Sequence, residues 1–335
     1  MTTLKVGTDC SGIEAPIMAL QQLKIKHKHL FSSEIDENCR KVIRLNYCPS
    51  IIYDDITTRD HNQLPSLDMY VAGFPCQSFS GLRHDAQGFN DPRGTIFFEC
   101  LETIRYTQPK CFLLENVRGL ISHDDGKTFK TILKSLKNLK KYNIYSKVLN
   151  TQDYGLPQNR PRVYIIGIDK KIAGSKHFKF PDPFPLKKKV SDLMDKSLKI
   201  KENLTPNMIN VIRNRVSRKN GNTRENYIVN ANGSVNGFGS AMKEISPCLL
   251  ANAFNFYSTK YKRFLTSREY LRLQGFPDSF ISLDDEKITK KQAGNSMSVN
   301  VLMLLLGSLN NLLQKTTPSS SPKLKYTVPE RGRRR

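Results

Sequence analysis

Between residues 4 and 170, short apolar runs alternate with segments of helical period, and this constrains the fold more than any other feature. Leu4-Lys5-Val6-Gly7, His29-Leu30-Phe31-Ser32, Met69-Tyr70-Val71-Ala72, Cys111-Phe112-Leu113-Leu114 and Val163-Tyr164-Ile165-Ile166-Gly167 read as strands. Lys127–Tyr142 carries Phe129, Ile132, Leu133, Leu136 and Leu139 at helical spacing, with lysines on the opposite face. Strands separated by helices predict an α/β fold, a doubly wound and mostly parallel sheet covered on both faces. Such a sheet keeps its chemistry at the carboxyl ends of its strands.

The texture changes near Ala173. Pro181, Pro183 and Pro185 precede Lys187-Lys188-Lys189, and residues 187–245 are polar, with a glycine-rich stretch from Asn230 to Ser240. The reading is a discontinuous main domain, 1–174 plus 263–314, with a second, smaller domain at 175–262. The basic segment Arg213-Asn214-Arg215-Val216-Ser217-Arg218-Lys219 lies in the smaller domain, where a phosphate-contacting surface and a solvated helix face are both open. Residues 294–314 read as a closing helix packed on the main domain. Residues 315–335, Ser/Pro-rich and ending Arg331-Gly332-Arg333-Arg334-Arg335, read as a basic, disordered tail.

Fifty-three Lys and Arg against 30 Asp and Glu give a net charge of +23, which favours a polyanionic partner through counterion release. The seven cysteines are odd in number and include no Cys-x-x-Cys, so neither a disulfide framework nor a zinc site is indicated and no metal is expected. No run spans a bilayer and no signal peptide opens the chain, so an intracellular protein with no membrane association is expected.

One cysteine stands apart. Gly73-Phe74-Pro75-Cys76-Gln77-Ser78-Phe79-Ser80 puts Cys76 behind a proline at the end of the Met69–Ala72 run, where the fixed proline φ stiffens the turn. A nucleophile and a buried structural thiol are both compatible with that octapeptide. Thr8-Asp9-Cys10-Ser11-Gly12-Ile13-Glu14 forms a strand-to-helix loop that a nucleoside can approach. Glu34 follows the second strand at a spacing suited to ribose hydroxyls, and Asp54-Asp55-Ile56 offers a carboxylate to an adenine amino group. Glu115 ends the strand Cys111–Leu114, and Arg160 and Arg162 precede the next one, aimed to one side by alternation.

These segments, in this order, resemble the C5-cytosine DNA methyltransferase family of bacterial, phage or viral restriction–modification type. Phe-Pro-Cys-Gln-Ser-Phe-Ser, Glu115-Asn116-Val117, Gln158-Asn159-Arg160-Pro161-Arg162, Leu265 to Pro277 and Gly294-Asn295-Ser296 carry the likeness. The resemblance implies a Rossmann-like class I methyltransferase domain and a target-recognition domain at 175–262. It implies S-adenosylmethionine as cofactor and double-stranded DNA as substrate, with a flipped-out cytosine. By it, Cys76 adds to cytosine C6, Glu115 binds the N3/N4 edge, and Arg162, supported by Arg160, contacts the O2 side. Ser11, Gly12, Ile13, Glu34, Asp55, Ile56, Asn295 and Ser296 would hold the cofactor. Gln77, Ser80, Arg93, Arg213, Arg215, Arg218 and Lys219 would face DNA. A monomer is expected, with a cognate restriction endonuclease as a possible but physically unneeded companion.

Four positions depart from the family pattern: Thr8 stands for aspartate, Cys10 for phenylalanine, Glu14 for a loop glycine and Ile35 for an aromatic. Three rivals stay open on sequence: the tRNA-methylating branch, a non-catalytic DNA-binding descendant, and a Rossmann oxidoreductase. Gln77 and the long middle segment favour DNA over tRNA. The complete set Cys76, Glu115, Arg160 and Arg162 disfavours the second, and the sparse glycine pattern the third.

Overall fold

The computed structural model describes residues 3–75, 92–174, 177–232, 241–252 and 255–314, with the side chains of 92–94 excepted. In chain order the elements begin with β1 (Leu4–Asp9), α1 (Ala15–Gln22), β2 (His27–Ser33), α2 (Glu37–Asn46), β3 (Ile51–Tyr53) and β4 (Met69–Ala72). They continue with α3 (Pro92–Thr107), β5 (Cys111–Val117), α4 (Lys127–Asn138), β6 (Tyr142–Asn150), β7 (Pro161–Asp169) and α5 (Lys170–Ala173). The middle segment contributes α6 (Val190–Leu193), α7 (Pro206–Ser217), β8 (Tyr227–Asn230), β9 (Ala241–Lys243), β10 (Phe256–Ser258) and β11 (Arg263–Phe264). The chain closes with α8 (Ser267–Gln274), α9 (Glu286–Asn295) and α10 (Val299–Gln314).

The seven strands of the large sheet are ordered β3-β2-β1-β4-β5-β7-β6. β1 to β5 run parallel, and β7 lies antiparallel between β5 and β6. The mostly parallel sheet is as expected, and the reversal at β7 has a functional consequence. It turns the start of β7, with Arg160 just before it and Arg162 within it, to the edge where β5 runs through Glu115 to its end at Val117. Register fixes the match, with Val117 opposite Arg162 and Glu115 opposite Tyr164.

Strand alternation sorts the core into two layers. Met69, Val71, Cys111 and Leu113 join a cluster with α1, α2 and α10, whereas Tyr70, Ala72, Phe112 and Leu114 join another with Phe97 and Ile104 of α3 and Ile132 and Leu136 of α4. All four residues of β4 are buried, the mark of a strand covered on both faces. Burying the apolar α10 against α1 removes Val301, Leu302, Leu305 and Leu306 from water, at about 1.5–3 kcal/mol per side chain.

Two expected boundaries move. The helix predicted over Lys127–Tyr142 stops at Asn138; Lys140 then takes a left-handed φ of 55°, and Tyr142 opens β6. The closing helix does not run from 294. Gly294 and Asn295 end α9, Ser296 is its C-cap with extended backbone, and α10 starts at Val299.

The middle segment folds around a second, antiparallel sheet, β11-β10-β8-β9. Its small core joins Ile212 and Val216 of α7 to Tyr227, Val229 and Tyr257. β11 falls just past residue 262, so the small sheet takes its last strand from beyond the boundary read in the sequence.

Candidate active site

The strand order reverses between β1 and β4, because the chain builds outward to β3 and then crosses back over β1. A crevice therefore opens at the carboxyl ends of these two strands. Beneath it lies a buried ionic knot. Arg59 donates to both oxygens of Asp9, at 2.6 and 2.5 Å, and to Thr103 Oγ1 at 2.6 Å, while the Tyr70 hydroxyl donates to Asp9 Oδ2 at 2.7 Å. The guanidinium also stacks 5.1 Å from the Phe31 ring centroid and 5.3 Å from that of Tyr53. One carboxylate thus ties β1, the loop after β3, β4 and α3 together. Asp9 lies within the loop segment read from the sequence but had no role there, and no motif contained Arg59.

On the β1 side, Ser11 and Ile13 are buried, and Gly12 has φ +56° with nothing within 4 Å of where a Cβ would stand. Glu34 directly follows β2 and meets this loop: its carboxylate accepts from Gly12 N at 2.7 Å and from Asp36 N at 2.9 Å. Burial pushes the Glu34 carboxyl up, against those two N–H groups. Asp55 accepts from the N–H and hydroxyl of Thr57, both at 2.8 Å, and Ile56 is buried beside it in sequence. Cys10 hydrogen-bonds with Cys100 of α3, and this contact, with burial, pushes its thiol well above its usual range. An open glycine at a turn, a half-buried acceptor at the next strand end and an apolar floor fit an adenosyl group.

On the β4 side, Cys76, Gln77 and Ser80 lie outside the described residues, and Arg93 opens α3 with its side chain outside them. The approach to Cys76 is visible. Asn116 Nδ2 donates to the Phe74 carbonyl at 3.0 Å, pinning the Phe74-Pro75 turn to β5. A Cβ on Gly73 would stand 3.7 Å from Glu115 Oε2, so Glu115 faces the chain three residues before Cys76. Arg162 Nε lies 3.2 Å from Glu115 Oε1, both side chains nearly buried. Burial pushes the Glu115 carboxyl up, and Arg162 and Arg160 oppose it.

Both arginines reach Cys248, with Arg160 Nη1 at 3.5 Å and Arg162 Nη2 at 3.6 Å from its sulfur. Burial would raise this thiol, but Arg162 and then Arg160 outweigh it and hold it below its usual range. Sequence reasoning missed Cys248, which no motif contained. Arg160 is otherwise spent on backbone: it donates to the carbonyls of Leu249 at 2.9 Å, Gly294 at 3.1 Å and Ser296 at 2.7 Å. It therefore clamps the α9–α10 junction to the sheet. Gln158 and Gln274 extend the clamp, donating to Leu273 O at 2.9 Å and Ala293 O at 2.6 Å. Ser296 is buried and Asn295 exposed.

In the middle segment Arg213, within α7, and Arg218 and Lys219, just past its end, are exposed. Arg215 differs. It is buried, and its Nη1 donates to the Asn230 carbonyl, so it fastens α7 to β8 of the small antiparallel sheet. Helical rotation puts it on the inner face with Val211, Ile212 and Val216.

A profile of C-5 cytosine-specific DNA methylases matches residues 9–311. The type II methyltransferase M1.ScrFI of Lactococcus lactis subsp. cremoris is 36% identical over 91% of this chain and 78% of its own length. M.NgoBI of Neisseria gonorrhoeae is 38% identical over 82% of this chain and 83% of its own. Among solved structures, a DNA modification methyltransferase from an Escherichia coli prophage superposes with a TM-score of 0.70 at 20% identity, covering 93% of this chain and 100% of that one. The S. pombe Dnmt2 methyltransferase superposes at 0.62 and 17%, covering 92% and 99%. The chain belongs to the C-5 cytosine-specific DNA methylase family and is a DNA cytosine-5 methyltransferase.

Proposed function

We propose that this protein methylates C5 of a cytosine flipped out of one short sequence in double-stranded DNA, acting as a modification enzyme of restriction–modification type. The observation that carries the reading is the Glu115–Arg162 pair, 3.2 Å apart, at the strand ends beside the turn that leads to Cys76. Cytosine C5 is a poor nucleophile until a thiolate adds to C6. Cys76 is that thiolate, and its addition moves electron density onto the ring toward C5 and N3. Glu115, its carboxyl raised by burial, holds a proton at N3 and accepts from the N4 amino group. Arg162 faces the O2 side, and Arg160 acts as a positioning residue through the Leu249, Gly294 and Ser296 carbonyls.

The family uses S-adenosylmethionine, which when bound supplies an electrophilic methyl group to C5. Ser11, Gly12, Ile13, Glu34, Asp55, Ile56, Asn295 and Ser296 would hold it, with Glu34 at the ribose and the Asp55–Ile56 turn at the adenine. Loss of the C5 proton and of Cys76 then restores the aromatic base. The segment 175–262 reads the target, with Arg213, Arg218 and Lys219 on phosphate; Ser80 and Arg93 would close over the extruded base, and Gln77 would help fill the vacated stack or contact the DNA backbone. The protein acts as a monomer.

The test is methylation of a mixed-sequence duplex with S-adenosylmethionine, read at base resolution, with tRNA in parallel. Methyl groups at C5 of cytosine within one duplex sequence are expected. Transfer to tRNA alone would overturn the substrate assignment.

A further inference from the structure

Glu14 is out of place by every local rule. It is fully buried, sits at the N-cap of α1 with a left-handed φ of 59°, and makes no cap hydrogen bond. A left-handed glutamate is strained, and a glycine would cost less there. Its carboxylate is turned into the sheet instead. Oε1 accepts from Thr8 Oγ1 at 2.5 Å and from Ser32 Oγ at 2.6 Å. Because the Ser32 hydroxyl is so committed, His29 Nε2 donates to it at 3.0 Å, and lies 3.4 Å from Glu14 Oε1. Because the Thr8 hydroxyl is likewise committed, Ser11 Oγ donates to Thr8 Oγ1 at 2.8 Å and in turn accepts from Ser33 N at 3.2 Å. Ser11 N donates to the Ser33 carbonyl at 3.1 Å, and Glu34, the next residue, receives Gly12 N. A single buried carboxylate therefore ends a relay that fastens the β1–α1 loop to the end of β2.

We propose that Glu14 is the positioning residue of the cofactor loop, holding Ser11 and Gly12 at the distance from Glu34 in which the adenosyl group is received. This rests on the cofactor reading given above. Thr8 and Glu14 act as one unit. The Thr8 hydroxyl touches the carboxylate, so an aspartate at position 8 would bring its oxygens to the place that Glu14 fills, and a glycine at 14 would relieve the left-handed backbone. The two departures at this loop are then one relocation of a carboxylate, from position 8 to position 14.

The experiment is a double-mutant cycle read by calorimetric affinity for S-adenosylmethionine and by kinetics. Glu14→Ala and Glu14→Gly are expected to weaken cofactor binding about tenfold or more, raising KM for the cofactor with little change in kcat. Thr8→Asp alone crowds two buried carboxylates and is expected to weaken it as well. Thr8→Asp/Glu14→Gly is expected to bind within about threefold of the parent, because the carboxylate has returned. Glu14→Gln, which keeps an acceptor oxygen, serves where Glu14→Ala fails to fold, and is expected to bind better than Glu14→Gly. A double variant no better than Glu14→Gly, or single variants that lose melting temperature but not affinity, would overturn the assignment. Glu34→Ala separates the two readings: unchanged binding there places the cofactor elsewhere and removes the ground on which the proposal stands.

Discussion

At the scale of single residues, the role proposed for Glu115 at cytosine N3 carries a pH dependence. Burial favours its neutral form and Arg162 opposes this. The proton-bearing carboxyl that the chemistry needs therefore persists above the ordinary carboxylate range, and kcat is expected to fall as pH rises through the raised pKa. Removing the opposing cation in Arg162→Met should move that basic limb to higher pH, which a kcat–pH profile reads directly. Stability follows the same sign. The raised carboxyl contributes stability that is full below its unfolded pKa and lost as pH rises through the folded one. Glu115→Ala is expected to lower kcat by about 10²–10³, the usual cost of one group that stabilises developing charge, and Glu115→Gln by less. A limb that does not move in Arg162→Met would separate Glu115 from the rate.

At the scale of elements, the site is held by buried polar contacts that join distant segments. Asp9 and Arg59 join β1, β4, α3 and the loop after β3. Arg59→Met leaves the Asp9 carboxylate buried beside only hydroxyl donors, and is expected to cost about 3–5 kcal/mol in urea unfolding. Gly294 packs against backbone: a Cβ there would meet the Leu250 carbonyl group at 2.5 Å. Gly294→Ala is expected to lose about 1–3 kcal/mol by overpacking and to loosen the junction that Arg160 clamps. The sequence made β4, β5 and Glu115 legible because apolar runs and strand ends are local signals. It hid the antiparallel β7, since strand direction depends on connection and not on composition. The break between α9 and α10 was misplaced: Gly294-Asn295-Ser296 was read as the opening of the last helix, whereas Gly294 and Asn295 close α9 and Ser298 precedes the apolar run that starts α10. Arg215 read as surface only because its neighbours are basic. Its heptad-like spacing from Met208, with Ile212 and Val216 beside it, placed it on the inner face.

For the whole molecule, 53 basic residues against 30 acidic ones favour a polyanionic partner, and the exposed Arg213, Arg218 and Lys219 are proposed to meet its phosphates. If each meets one phosphate, replacing all three by glutamine should flatten the slope of log K against log salt by about 0.9 per contact. Titration of a labelled duplex across salt concentrations measures this. An unchanged slope would remove them from the interface. Among the described residues no single helix is long and apolar enough to cross a membrane. The apolar α9–α10 region is instead accounted for by packing, as Val299, Leu302, Leu305 and Leu306 are fully buried.

The account turns on Cys76 adding to cytosine C6 before C5 is methylated. The measurement that tests this most directly uses a duplex carrying 5-fluorocytosine at the mapped target, incubated with S-adenosylmethionine and read by mass spectrometry of the digested protein. Fluorine at C5 cannot leave as a proton does, so the thioether to C6 cannot be released. The predicted result is a stoichiometric protein–DNA adduct on the peptide containing Cys76, absent in Cys76→Ala. An adduct on another residue, or methylation of the ordinary target by Cys76→Ala, would contradict the account.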